Sequence, residues 1–142
     1  DPENVIEMSD GTFASKNKKS FHINPYCFDS KPEKQLFIDL MIDTRVKKIY
    51  FTGMLTHGQS EFYIQYIDPE SSTVRSYYPD FLIKKEDDSW MIIEVKRDDK
   101  IDDPVVMAKK EFADQLAKAN FMTYRVIKGT DAANSNYDAL LN

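Results

Sequence analysis

Two acidic residues and a lysine stand at a spacing that can bring them together on one face of a β-sheet. Asp80 precedes one apolar stretch, and Glu94-Val95-Lys96 closes the next. Side chains alternate between the two faces of a strand, so Glu94 and Lys96 project to the same side. The surrounding residues are apolar, and charged groups in such surroundings need polar partners. Two carboxylates and an ammonium in one place could bind a divalent cation beside a phosphate ester.

A hairpin is the simplest way to bring Asp80 to the other two residues. The polar segment at 86–89 separates two stretches of strand-forming residues and predicts a tight turn. If Asp80 shares their face, the antiparallel strands must pair residues whose numbers have an even sum. Two registers meet this condition: Lys84 opposite Trp90, which sets Asp80 opposite Glu94, and Glu86 opposite Trp90, which sets Asp80 opposite Lys96.

The chemistry that these residues predict is metal-assisted hydrolysis. Mg²⁺ prefers oxygen ligands, keeps several of its waters and contacts phosphate oxygens, and Mn²⁺ should substitute for it. We expect Asp80, Glu94 and the peptide carbonyl of Val95 to be the metal ligands. Lys96 would orient the attacking water and stabilise negative charge on the phosphate. The alternative is a plain ion pair between Glu94 and Lys96 on a half-solvated sheet. The proline-aspartate pair one strand upstream favours the site over that alternative.

Two helices and several strands must position these residues. Ser30 can cap the first helix and Asp103 the second, and a proline suited to a first helical turn follows closely in both cases. The apolar spacing changes between helical and strand periods, which indicates a mixed sheet with helices packed on it. The predicted elements are a helix from 31 to about 43, strands at 46–51, 61–67, 76–85 and 90–97, a helix from 104 to about 119, and a strand at 121–128.

Lys109 is a further candidate because it lies on the apolar face of the second predicted helix. At about 100° per residue, that face is defined by Val105, Phe112 and Leu116. Lys109 falls near its centre. A lysine there either extends its charge past the core or points at an anionic group. We favour the second interpretation, with the two carboxylates or a DNA phosphate as that group.

The composition narrows the class of protein. The 142-residue chain has a formal net charge of −5, which counts against a free-standing nucleic-acid binder. No apolar run approaches the roughly 18 residues that span a bilayer, so we expect no membrane segment. The lone cysteine, Cys27, cannot form an internal disulfide, and it predicts a cytoplasmic setting. Because the sequence begins Asp1-Pro2 without a methionine, we expect a single domain, 1–142, from a larger multidomain protein.

The combination of Pro79-Asp80 with Glu94-Val95-Lys96 resembles the PD-(D/E)xK motif of the restriction-endonuclease-like nuclease superfamily. The order of the predicted elements is similar to the αβββαβ core of that superfamily, an α/β fold with a mixed sheet of four to five strands flanked by helices. The resemblance covers about residues 30–130. Three segments are more closely similar to the C-terminal nuclease domain of type III restriction subunits: Tyr77-Tyr78-Pro79-Asp80-Phe81, Ile93-Glu94-Val95-Lys96 and the stretch from Asp102 to Lys109.

This resemblance implies an Mg²⁺-dependent endonuclease that cuts double-stranded DNA and leaves 5′-phosphate and 3′-hydroxyl ends. It also implies a helicase-like motor domain in the same chain and a modification subunit as a further partner. Arg97 stands where the family often has glycine, which weakens the type III assignment more than the nuclease assignment. Two alternatives stay open: a junction-resolving or repair nuclease of the same fold, and a non-catalytic DNA-binding or assembly module.

Glu33 enters the predicted site through the same resemblance. The superfamily commonly places an acidic residue of the first helix near the metal, and Glu33 occupies the first turn of the predicted helix. A capping box with Ser30 would account for Glu33 equally well. The sequence therefore leaves two interpretations of this residue.

Overall fold

A computed structural model describes residues 5–6, 26–27, 30–51 and 64–142. The first residues of the strand predicted at 61–67 lie outside these ranges. Within them, no helix is both long enough and apolar enough to cross a membrane. In chain order the elements are β1 (Val5–Ile6), β2 (Tyr26–Cys27), α1 (Lys31–Ile42), β3 (Val46–Phe51), β4 (Ile64–Ile67), β5 (Val74–Tyr77), β6 (Phe81–Lys85), β7 (Trp90–Lys96), α2 (Pro104–Ala119), β8 (Met122–Lys128), α3 (Gly129–Ala133) and α4 (Asp138–Leu141).

Both long helices begin at the caps that the sequence predicts. In α1, the hydroxyl of Ser30 accepts a hydrogen bond from the N–H of Glu33 at 3.4 Å. In α2, the carboxylate of Asp103 accepts from the N–H groups of Val105 and Val106 at 2.9 and 3.4 Å. A side-chain oxygen at this position satisfies amides that the first turn leaves without a helical partner. The two helices that flank the sheet therefore start where local sequence directs them.

Four strands form the main sheet in the order β3-β6-β7-β8. β6 is antiparallel to β3 and β7, whereas β7 and β8 are parallel and α2 makes the crossover between them. Lys84 lies opposite Trp90, which is the first of the two predicted registers. The turn favours this choice, because Asp88 takes a left-handed φ of 68° that aspartate tolerates better than most residues. The mixed sheet with flanking helices confirms the predicted α/β fold class.

The segment predicted as one strand at 76–85 forms two strands in different sheets, so this prediction was wrong. β5 pairs with β4 in a separate two-stranded sheet, and β6 begins only at Phe81. Pro79 has no N–H to donate to a strand ladder, which disfavours continuous pairing through this point. The break at 78–80 leaves Asp80 outside the ladder, where its side chain can turn toward β7.

The main sheet buries a core on each face. The larger core packs α1 against the sheet and includes Phe37 and Ile93. The smaller core packs α2 against the opposite face and includes Ile92. Glu94 and Lys96 follow Ile92 at even spacing along β7, so they belong to the face that α2 covers. The charged residues of the motif therefore lie under the helix that carries Lys109.

The buried side of α2 differs from the predicted one at Leu116, whereas Val105 and Phe112 pack against the smaller core as predicted. Leu116 is 41% exposed, whereas Ala113 and Ala117 are buried. Small side chains let a helix approach a sheet closely, so α2 packs through its alanines rather than through Leu116. Lys109 lies four residues before Ala113 and thus on the same stripe of the helix. Lys109 still faces the sheet, as predicted.

Two short helices near the C-terminal end of the sequence were not predicted, because they are too short to show a helical period. A polar network ties them to the end of α1. Arg45 contacts Asp43 and Asp138 at 2.8 Å each, and Tyr137 donates a hydrogen bond to Asp43 at 2.8 Å. Arg45 holds the pKa of Asp43 well below its usual range. These helices complete the larger core with three residues: Ala132, Leu140 and Leu141.

Substitution of Phe121, which follows the end of α2, tests the energetic cost of its positive φ. It has a φ of 58° and is 96% exposed, so its side chain gains little from packing while its backbone is strained. We expect Phe121→Gly to raise the free energy of unfolding by about 1 kcal/mol. Phe121→Ala is the control, since it removes the ring but keeps the Cβ. Equal stability of the two variants in urea denaturation would contradict this explanation.

Candidate active site

The candidate site forms where β6 and β7 stop pairing. The last paired residues are Phe81 and Ile93, and Asp80 lies one residue beyond this pair. The Oδ2 atom of Asp80 accepts a hydrogen bond from the N–H of Val95 at 2.8 Å. That contact takes the place of a strand hydrogen bond. It fixes the Asp80 carboxylate beside the end of β7, at the position that the register sets opposite Glu94.

The same hydrogen bond orients the peptide carbonyl of Val95. In an extended strand, the N–H and the C=O of one residue point to the same edge. Since the N–H of Val95 points at Asp80, its carbonyl points to that edge too, away from β8. The predicted oxygen ligands, two carboxylates and one carbonyl, therefore gather around the end of β7.

Glu94 is a buried carboxylate with an incomplete set of partners. Its exposed fraction is 2%, and the Nζ of Lys96 lies 3.6 Å from its Oε2. Its Oε1 is also buried and accepts no hydrogen bond from any described residue. Burial raises the pKa of Glu94 to about 7, against the opposing effect of the Lys96 charge. A buried oxygen without a donor is unfavourable, and a bound cation would remove that penalty.

The ionised form of the Asp80 carboxyl group is unfavourable for two reasons. Burial raises its pKa to about 7, and the neighbouring charge of Glu94 acts in the same direction. The N–H of Val95 and the charge of Lys96 oppose this shift without cancelling it. Two adjacent carboxylates with raised pKa values attract either a proton or a cation. The pair therefore fits a divalent cation, whose charge would let both groups ionise.

Glu33 reaches the site from the first turn of α1. The hydroxyl of Ser30 donates a hydrogen bond to the Oε2 of Glu33 at 3.1 Å, so Glu33 belongs to the helix cap. Glu33 is only 8% exposed, and its contact with Asp80 lowers the pKa of Asp80. One side chain thus contacts both Ser30 and Asp80. The capping interpretation and the site interpretation of Glu33 are compatible.

Lys109 approaches the site from α2. Burial and the positive charge of Lys96 lower the pKa of Lys109, while the charge of Glu94 acts in the opposite direction. The Nζ of Lys109 lies 5.3 Å from the ring centroid of Tyr66 on β4. Tyr66 is not among the predicted site residues, because an aromatic residue in a short strand is typical of sheet packing. Its contact with Lys109 depends on tertiary structure that no local pattern encodes.

The donor set suits a hydrated ion rather than a closed metal site. In the part of the chain that the structure describes, no group of three or more histidine, cysteine, aspartate or glutamate side chains is arranged to hold a metal ion. The carboxylates of Asp80 and Glu94, with the Val95 carbonyl, would leave several positions to water. Mg²⁺ commonly binds in this way, whereas structural Zn²⁺ takes four protein ligands.

The mixed sheet, its helical crossover and the flanking helices are consistent with a restriction-endonuclease-like fold. A family model described as TnsA-like endonuclease N terminal matches residues 56–129, slightly more than half of the chain. The chain belongs to this family. This membership confirms the predicted restriction-endonuclease-like superfamily and supports the general prediction of a nuclease. The match does not support a type III restriction subunit specifically. No curated protein and no solved structure matches the chain.

The raised carboxylate pKa values predict how stability depends on pH without metal. Both groups bind protons more tightly in the folded state than in the unfolded state, so their contribution is complete at acidic pH and is lost as the pH rises through about 7. In urea denaturation with a chelator, the free energy of unfolding should fall between about pH 5 and about pH 8.

Glu94→Gln tests the source of this fall. At about pH 8, the free energy of unfolding of the variant should exceed that of the wild type by about 1–3 kcal/mol, because the substitution removes a buried charge. The two proteins should converge at about pH 5, where Glu94 is protonated. A fall of equal size in the variant would show that other groups cause the pH dependence.

Proposed function

We propose that this chain is a divalent-metal-dependent endonuclease domain that hydrolyses phosphodiester bonds of double-stranded DNA. The family match supports the nuclease class. The observation that carries the metal dependence is the buried Oε1 of Glu94, which accepts no hydrogen bond from the described residues, on a carboxylate that interacts with the carboxylate of Asp80. A purely structural ion pair would be more stable with that oxygen satisfied and the second carboxylate absent.

Each residue of the proposed site has a distinct task. Asp80, Glu94 and the carbonyl of Val95 would hold Mg²⁺, or Mn²⁺ in its place. The bound ion supplies polarisation of the phosphate and a lowered pKa of a coordinated water. Lys96 would orient the attacking water, and Lys96 and Lys109 together would stabilise the negative charge that develops on the phosphate. Because the surroundings are apolar, these charges act through a low effective dielectric.

Glu33 is the remaining member of the proposed site. It contacts both the cap and Asp80, so it would keep the Asp80 carboxylate in its orientation when the substrate binds. We assign it a supporting role behind the metal ligands.

The molecular setting of the domain is part of the proposal. With a net charge of −5, the chain itself offers little long-range attraction for DNA, so affinity would come from a neighbouring domain or subunit. A motor domain in the same chain and a modification subunit would supply it in a cytoplasmic type III restriction system. A junction-resolving or repair nuclease would instead rely on DNA shape. Cleavage of branched DNA in preference to linear duplex would favour the second arrangement.

Substitution of Asp80 or Lys96 tests the proposed chemistry. Asp80→Ala and Lys96→Ala should each slow Mg²⁺-dependent cleavage of duplex DNA by at least roughly 100-fold, because each removes a group that acts on the phosphate. The products of the wild type should carry 5′-phosphate and 3′-hydroxyl ends. Gel-based cleavage rates measure the effect, and circular dichroism verifies the fold.

Lys118→Ala is the matched control for the lysine variant. Lys118 is an exposed residue near the end of α2 that pairs with Asp114, so its loss should leave cleavage unchanged. Wild-type cleavage rates in the Asp80 or Lys96 variant would disprove the assignment of the site.

A further inference from the structure

The charges of two lysines act on the carboxylate of Glu94, yet its buried Oε1 accepts no hydrogen bond from the described residues. Lys96 contacts the other oxygen at 3.6 Å, and the charge of Lys109 also acts on Glu94. A buried carboxylate oxygen is normally satisfied by the nearest donor, and the flexible side chain of a lysine can supply one. Another contact must therefore hold the ammonium of Lys109 away from Oε1 of Glu94.

The backbone places Lys109 within reach of Glu94. Val126 lies opposite Glu94 in the parallel register of β7 and β8, and it packs against the same small core as Val105. Lys109 follows Val105 by one helical turn on the buried stripe of α2. The helix thus projects Lys109 over the part of the sheet that holds Glu94. The position of the backbone therefore does not explain why Lys109 donates no hydrogen bond to Oε1.

The ring of Tyr66 is where the ammonium of Lys109 is found. Tyr66 is 5% exposed, and the Nζ of Lys109 lies 5.3 Å from its ring centroid. β4, which carries Tyr66, belongs to the separate two-stranded sheet and packs on α2. The face of an aromatic ring attracts a cation without forming a salt bridge. The ring therefore holds the charge of Lys109 near the site and leaves Oε1 of Glu94 without a donor.

We propose that Tyr66 is a positioning residue that keeps Lys109 from pairing with Glu94, so that Oε1 stays open for the divalent ion. This inference rests on the metal dependence proposed above. Without the ring, Lys109 would move to Glu94 and form an ion pair that the metal must displace. Tyr66 would thereby tune metal affinity without touching the metal.

The test is the affinity for Mn²⁺, measured by calorimetric titration of the full chain. Tyr66→Leu should weaken Mn²⁺ binding by roughly three- to tenfold, because it releases Lys109 to compete for Glu94. Tyr66→Phe keeps the ring and should bind as the wild type does. The double variant Tyr66→Leu/Lys109→Met removes the competing ammonium and should regain the wild-type affinity. A purely structural role of Tyr66 would not predict this recovery.

Tyr124→Leu is the matched control, since Tyr124 is also 5% exposed in the same core. It removes a buried ring of equal size but leaves the ring beside Lys109 in place. The inference is overturned if Tyr66→Leu binds Mn²⁺ as tightly as the wild type, if the double variant stays weak, or if Tyr124→Leu weakens binding equally. Absence of Mn²⁺ binding by the wild type would instead disprove the metal dependence on which the inference rests.

Discussion

The proximity of two carboxylates inside an apolar sheet is the constraint on which the rest of the structure depends. Asp80 and Glu94 repel each other and are both largely removed from water, so each is held in a state that raises its pKa. The N–H of Val95 and the ammonium of Lys96 offset only part of this penalty. Stability must come from elsewhere, and the larger core on the opposite face of the same strands supplies it. The α1 side of the sheet thus contributes most of the apolar burial, and the α2 side carries the charged residues.

The separation also requires an interruption in the pairing of strands. β5 ends at Tyr77 and β6 begins at Phe81, with Pro79 in the break between them. β5 therefore lies outside the main sheet, and Asp80 can contact the end of β7. β5 still contributes to the surroundings of the site. Together with β4 it forms the small sheet that brings Tyr66 to α2. A single break in the chain therefore lets Asp80 turn toward β7 and lets β5 pair with β4 in the small sheet that packs on α2.

Local signals in the sequence account for much of this arrangement. The caps at Ser30 and Asp103 specify where both long helices start, and the alternation along β7 specifies that Glu94 and Lys96 share a face. The even-sum condition leaves two hairpin registers, and the observed one has a left-handed φ at Asp88 that aspartate tolerates. The exposure of Leu116 and the break at Pro79 depend on which neighbours pack together. No period or propensity within a single segment carries that information.

The connection between Asp80 and Glu94 has a kinetic consequence. Only four residues, from Glu86 to Ser89, separate β6 from β7, so the two carboxylates meet as soon as this hairpin closes. The parallel pairing of β7 with β8 spans a whole helix and must come later. The mutual repulsion therefore acts on an early species, before α2 covers the sheet. A divalent cation present during refolding would then act on the rate of assembly more than on the lifetime of the finished fold.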